Sequence, residues 1–506
     1  MAHNILEQSI KLDAATRAYY DTRRQEETNT LPSEVSLLQT RNNRIATLPT
    51  TGLGFPATVS HLEHAVIPGL NLASLSPHYY GFVTGGSTPI AAVADNVVSA
   101  FDNSVQVHLP NESIVTEIED RALRMLCQLL DLEERDWAHR TFTTGATASN
   151  VMGLACGREG VVRWHGKATA GTTTSVAKMG LVRAMNAAGL DEIQVLTTVP
   201  HSSLGKAASI VGLGRDSVTL VNRSDRPHLI DFEKLEEELK RPGVGSIVAV
   251  SCSEVNTGFF AAGRGDMERL AGLCRRYKAW IHVDAAFGFM ARILAPDTNG
   301  EFKSIIDGSD GLEHAHSITG DGHKLLNVPY DCGIFLSRKA EGMDVFQNAG
   351  AAYLQTDASD IPSPLNIGIE NSRRFRALPM YANLIAYGRD GFRTFLQQQI
   401  RLARRTAHYI RQHPGYELLP DWHQDHIDQH TYMVVLFRAK DEVLNASLVK
   451  AINRRKKIYV SGTVWEGQPA SRIAVSNWQA DEERDANVIA EALEEVYQAW
   501  QNAEGS

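Results

Sequence analysis

Lys324 closes the pentad Gly320-Asp321-Gly322-His323-Lys324, and Asp284, forty residues earlier, closes the run Trp280-Ile281-His282-Val283-Asp284. A lysine whose stem runs beside Leu325 and Leu326 can carry its amine into a cleft, where desolvation disfavours the ammonium and leaves a nucleophile able to form an imine. A carboxylate at the end of a buried strand can hold a ring nitrogen protonated by charge pairing. Each has an ordinary reading when taken alone, as a surface lysine or as an aspartate capping a turn. Their spacing together points to pyridoxal phosphate, for which a protein supplies an imine-forming amine, an acid partner for the ring and a phosphate cradle.

The cradle candidate is Thr143-Thr144-Gly145-Ala146-Thr147-Ala148-Ser149-Asn150, which leads into a helical pattern over residues 151–158. Small residues at a helix start let free backbone amides approach a phosphate, and the hydroxyls of Thr147 and Ser149 can add donors. Plain helix capping is the alternative. His201, in Val199-Pro200-His201-Ser202-Ser203, follows an extended run ending at Thr198, where an imidazole can stack on a flat cofactor or shuttle a proton.

The elements that must position these groups alternate. Helical patterns cover residues 114–130, 232–239 and 267–277, and extended ones cover 193–196, 246–250, 279–283 and 332–336. Such alternation predicts an α/β fold with a mainly parallel sheet covered by helices, and ligands in such sheets sit beyond the carboxyl ends of the strands. A long helical pattern over 373–411, with a break expected at Pro379, leads to strand patterns at 433–438 and 472–475 and a helix over 448–455. These read as a small C-terminal α+β domain. The expected division is 1–110 for an N-terminal helical segment that packs on a second subunit, 111–365 for the large cofactor-binding domain and 366–506 for the small one. The N-terminal segment begins with helical spacing over residues 4–26.

A chain of 506 residues with 43% hydrophobic and 22% charged residues has ample core to bury, and its net charge of −9 offers no basic field for nucleic acid or a membrane surface. No apolar run approaches the roughly 18 residues of a membrane span, and no signal peptide or anchor is visible. Cys127, Cys156, Cys252, Cys274 and Cys332 are odd in number and lack metal-ligand spacing, so no metal site is expected and a reducing, cytoplasmic location is.

Taken together the motifs resemble the group II pyridoxal-phosphate-dependent amino-acid decarboxylases, which include the aromatic-L-amino-acid, histidine and glutamate decarboxylases. The resemblance is carried by Ser76-Pro77-His78-Tyr79-Tyr80-Gly81-Phe82, the 145–150 loop, Pro200-His201-Ser202-Ser203, His282-Val283-Asp284-Ala285-Ala286, His323-Lys324 and Arg373-Arg374-Phe375-Arg376. It implies the aspartate-aminotransferase-like fold (fold type I) and a homodimer with active sites at the subunit interface. Lys324 would carry the Schiff base, Asp284 would pair the pyridine nitrogen, Ala286 would underlie the ring and His201 would stack above it. Thr147, Ala148 and Ser149 would hold the phosphate, with His323 also at the cofactor. The implied activity is that of a carboxy-lyase: an L-amino acid loses carbon dioxide through a quinonoid and becomes the amine. Phe82, Ser104, Gln106 and Glu254 are the substrate-pocket candidates, Ser104 and Gln106 through the neighbouring subunit.

Four departures bear on that reading. Between Leu354 and Ser372 there is no tyrosine, where aromatic decarboxylases have a loop tyrosine that protonates the quinonoid. This leaves His201 or Lys324 as donor and keeps open an oxidative outcome that yields an aldehyde. Glu254 stands where many members have a threonine, and either faces the substrate or turns into a structural hydrogen bond. The stretch 103–108 is more polar than its aromatic counterpart, which favours a polar substrate side chain, and Asp321 stands where the family often has asparagine. A catalytically silent homologue serving as a binding or scaffold subunit is the remaining alternative.

Overall fold

Seven strands form the central sheet of the protein, whose computed structural model describes residues 30–170, 174–348 and 361–504. They are β1 (His139–Thr143), β2 (Glu192–Thr197), β3 (Val218–Leu220), β4 (Val244–Ser251), β5 (Trp280–Asp284), β6 (Ser317–Asp321) and β7 (Gly333–Ser337), in the order β1-β7-β6-β5-β4-β2-β3. Only β7 runs against its neighbours. β2 and β4 are buried along nearly their whole length rather than at alternate residues, as strands covered on both faces must be. Register aligns Ser251, Asp284 and Thr319 across β4, β5 and β6, which brings their carboxyl ends to one edge.

The helices that matter for the site are α1 (Pro89–Phe101), α2 (Val115–Leu129), α3 (Ala146–Ala170), α4 (Ser202–Ile210), α5 (Ala377–Gln412), α6 (Glu442–Arg454) and α7 (Glu482–Glu504). α3 lies directly on the sheet because small residues face it. A Cβ at Gly153 would come within 2.2 Å of the His282 ring, and one at Gly160 within 2.7 Å of Trp280. This close approach lets Asn150, at the start of α3, reach β5.

A second, antiparallel sheet, β10-β11-β9-β8, is built from β8 (Tyr416–Leu419), β9 (Val434–Ala439), β10 (Ser461–Trp465) and β11 (Gln468–Ala474). Its core of Tyr416, Val435, Phe437 and Ile473 is closed by Leu448 of α6, Ile489 and Leu493 of α7, and Leu402 and Ile410 of α5. Earlier parts of the chain also join this region: the Tyr80 amide donates to Tyr459 O at 2.9 Å, and the Ala474 amide to Tyr80 O at 3.0 Å.

The strands expected at 193–196, 246–250, 279–283, 332–336 and 433–438 are present to within a residue or two. The expected break at Pro379 is corrected. Pro379 sits in the first turn of α5, where its missing N–H is no loss, and the kink falls at Gly388, with φ 56° and ψ −169°. Gly320 and Asp321 of the pentad end β6. The helix expected over residues 4–26 lies outside the described residues, as do residues 355–360 of the tyrosine-free stretch. All five cysteines are free and buried. Among the described residues no helix is long and apolar enough to cross a membrane.

Candidate active site

A cavity of about 420 Å³ opens beyond the carboxyl ends of β4 and β5 and is bounded on its far side by Ser461, Thr463 and Arg472 of the second sheet. Lys324, Asp284, His201, Ala286, Phe82 and Glu254, separated widely in sequence, all line it. The parallel register explains the convergence, since β4 and β5 end at the same level and the turn after β6 delivers Lys324 to it.

Lys324 Nζ lies 3.0 Å from Asp321 Oδ2 and 5.4 Å from the centre of the Phe287 ring, with the side chain 17% exposed. Its stem is therefore packed while its amine reaches the cavity. The other oxygen of Asp321 accepts from the Ala146 amide at 2.7 Å, tying the lysine turn to the start of α3. His323 is behind the lysine, outside the cavity lining, with its ring 4.2 Å from that of Tyr330 and Nε2 3.6 Å from Asp321 Oδ2.

Asp284 Oδ1 accepts from the Ala286 amide at 3.3 Å, and Oδ2 accepts from Asn150 Nδ2 at 2.8 Å. Both carboxylate oxygens are thus held by fixed donors, which sets the orientation of the group at the cavity. His201 caps α4 through its own ring: the Ser203 amide donates to Nδ1 at 3.1 Å, and the Ser203 hydroxyl lies 2.8 Å from the same atom. Burial pushes the His201 imidazole below its ordinary range, outweighing the opposing pull of Asp284, so the ring is neutral near pH 7. Since Nδ1 accepts the amide hydrogen, the proton of the neutral ring sits on Nε2.

In the expected phosphate cradle, Thr147 and Ala148 lie in the first turn of α3, where no intrahelical carbonyl is within reach of their amides. Ser149 differs. Its amide donates to Gly145 O at 3.1 Å and its hydroxyl is 2.8 Å from Thr143 Oγ1, so neither group is turned to the cavity. Glu254 lines the cavity but its carboxylate is held by its own turn, accepting from the Asn256 amide at 2.7 Å and from the amide and hydroxyl of Thr257. Burial raises its pKa, with these donors and Arg472 opposing. Ser104 and Gln106 do not line this chain's own cavity; Gln106 O instead accepts from the Leu365 amide at 3.1 Å.

Two residues escaped sequence reasoning. Arg472 is 6% exposed, donates through one terminal nitrogen to Val255 O at 2.5 Å, and keeps a buried Nε without a partner among the described residues. A lone arginine within the buried strand run Ala470–Ala474 was the available signal. Asn150 gave none, because its role depends on contacts made by residues more than a hundred positions away.

Residues 43–440 match the pyridoxal-dependent decarboxylase conserved domain, and the chain belongs to that family. Among curated relatives, an L-2,4-diaminobutyrate decarboxylase of Acinetobacter baumannii is 25% identical over 342 residues, which cover 64% of this chain and 62% of that one. A phenylacetaldehyde synthase of Arabidopsis thaliana is 23% identical over 446 residues, 85% of this chain and 84% of that one. The fold is that of Oryza sativa TDC, solved with PLP and tryptamine, with a TM-score of 0.81 at 20% identity and 99% of both chains covered.

Pyridoxal phosphate is the family's cofactor, and the donor set fits it. The cavity offers one amine for the aldehyde, a carboxylate for the ring nitrogen and one neutral imidazole. Of the start of α3 only Ala146 lines it, and the amides of Thr147 and Ala148, next along that first turn, are the ones left for a phosphate.

Proposed function

We propose that the protein decarboxylates an L-amino acid carrying a polar side chain, with Lys324, Asp284 and His201 as the working groups. The observation that carries this reading is the convergence of Lys324 and Asp284 on one cavity that also holds a buried arginine. When bound, pyridoxal phosphate supplies an aldehyde for imine exchange and a pyridinium ring that draws electrons from the α-carbon. Asp284 would hold the proton on the ring nitrogen. His201 would offer Nε2–H as a hydrogen-bond donor to the bound group. Thr147, Ala148 and Ala286 would hold its phosphate and its ring. The guanidinium of Arg472 in the cavity wall would attract a substrate carboxylate, and Ser253, Asn256, Ser461 and Thr463 give the remaining wall a polar character.

Loss of carbon dioxide leaves an electron pair at the α-carbon, so one proton must be delivered there. Lys324 Nζ, the amine that reaches the cavity, would be the donor there. A neutral imidazole is a much weaker acid than an ammonium. A second reading, in which dioxygen and water convert the same substrate to an aldehyde, ammonia and hydrogen peroxide, is favoured by the absence of tyrosine between Leu354 and Ser372. It is also in keeping with the aldehyde synthase among the relatives.

The enzyme is a cytoplasmic homodimer in this reading. Ile90, Val93, Val97 and Phe101 form an exposed apolar stripe at helical spacing along α1, which a second copy would cover, and Ser104 and Gln106 just beyond it would then face the neighbour's cavity. Incubating the cofactor-loaded protein with a panel of L-amino acids tests the proposal, with carbon dioxide, amine, aldehyde and peroxide followed together. Carbon dioxide with amine supports the first reading, and aldehyde with peroxide the second. Absence of carbon dioxide release across the panel overturns both.

A further inference from the structure

Asp284 and His201 are joined beneath the cavity by one buried chain of hydrogen bonds, and its polarity is determined from both ends. At one end Trp280 Nε1 can only donate, and it does so to Ser317 Oγ at 2.9 Å. Ser317 then turns its hydroxyl hydrogen to His282 Nδ1 at 2.8 Å. His282, fully buried and pushed down to a pKa of about 4 by that burial, is neutral and carries its proton on Nε2. Nε2 is 3.0 Å from Asn150 Oδ1, with Thr319 Oγ1 beside it at 3.3 Å.

At the other end Asp284, when ionised, can only accept. Only the amide nitrogen of Asn150 can face it, and that nitrogen has two hydrogens to give. One goes to Asp284 Oδ2 at 2.8 Å and the other to Ser203 Oγ at 3.2 Å. Ser203 thereby points its own hydroxyl hydrogen at His201 Nδ1. Asn150, itself fully buried, is the fork at which the two halves of the site meet.

The geometry points to Asn150 as the positioning residue that donates to Asp284, fixing its carboxylate as the acceptor a pyridoxal ring nitrogen would meet, and that through Ser203 reinforces the Nε2–H form which the Ser203 amide already imposes on His201. This rests on the proposed cofactor roles of Lys324 and Asp284. A hydrogen bond donated to a carboxylate favours its acceptor form, so with Asn150 in place a proton shared with a bound ring nitrogen would stay on the ring. Without that donor the shared proton would shift toward the carboxylate, and a bound ring would lose the charge that makes it an electron sink.

Asn150→Asp separates this role from packing. It preserves the shape and the acceptor for His282, and while protonated it still donates to Asp284. Two adjacent carboxyl groups share one proton, and that proton is lost as pH rises. The cofactor-loaded wild type should keep one visible absorbance band across about pH 6 to 8. Asn150→Asp should match it at the acid end and depart from it in a one-proton titration above about pH 5, where a shared carboxyl proton is held more tightly than an ordinary one. Asn150→Ala should depart at every pH in the same direction, with kcat lowered more than KM is raised. Folding is checked by thermal melting. Folded variants whose bands match wild type at every pH overturn the inference, even if their melting points fall. If the wild-type protein acquires no visible band with pyridoxal phosphate, the Lys324 assignment fails instead.

Discussion

At the scale of single residues, Lys324 is an amine whose surroundings do the selecting. Its stem is packed, its head reaches the cavity, and Asp321 holds it 3.0 Å away. Lys324→Ala should abolish the visible absorbance of the bound cofactor and reduce decarboxylation to background. Asp284→Asn should retain the colour yet slow the reaction by on the order of a hundredfold, the usual cost of losing a preorganised charge partner. Arg472 tests the substrate side. If its guanidinium serves a carboxylate, Arg472→Gln should raise KM by roughly ten- to a hundredfold, the worth of a charged hydrogen bond of about 1.5–3 kcal/mol. A KM unchanged from wild type would remove Arg472 from substrate binding. Lys324, Asp284 and His201 were legible in the sequence because each follows a strand or loop signal and their order along the chain is characteristic. Arg472 and Asn150 were not, because what makes them functional is the neighbour each meets after folding.

At the scale of elements, the site depends on strands ending at one level and on a helix lying tightly on them. The alternation of apolar runs made β2, β4, β5 and β7 readable, whereas β1 and β6 were missed because Arg140 and the Thr319-Gly320-Asp321 ending look like loop residues until both faces are covered. The long helix α5 links the two sheets: Ala377, Met380 and Leu384 pack with the large core, and Leu402, Ala407 and Ile410 with the smaller one. Gly388 marks the change of direction between those halves, in a backbone region essentially open only to glycine. A Cβ there would meet open space, so Gly388→Ala isolates the backbone cost. We expect about 1–3 kcal/mol of lost stability, read as a lower denaturant midpoint with little change in KM. The proline in the same pattern drew attention because proline usually breaks helices, but in a first turn it does no harm.

At the scale of the whole molecule, several histidines are buried without charge. Burial pushes His282 and His423 down to about 4, and His228 and His316 down to about 3. The unfolded chain takes up protons near the ordinary histidine value of about 6.5 that the folded chain refuses, so stability should fall as pH drops from there toward about 4. Each such imidazole contributes on the order of 1.4 kcal/mol per pH unit within that window. His423 lies away from the cavity, with Nε2 2.7 Å from Thr431 Oγ1, so His423→Gln should flatten the slope of the denaturant midpoint against pH without altering the cofactor band. An unchanged slope would show that His423 is not held neutral.

By itself the sequence determined the α/β class, the cofactor and the family, and singled out the lysine and aspartate proposed to serve that cofactor, because these depend on local patterns of polarity and on motifs in fixed order. Only the tertiary structure decided which donors reach which acceptors: that Ser149 turns inward, that Glu254 satisfies its own turn, and that Asn150 joins Asp284 to His201. The physical reason is that hydrogen bonds act over about 3 Å, and the partners here come from separate elements. Strand register and the close seating of one helix bring those elements within reach.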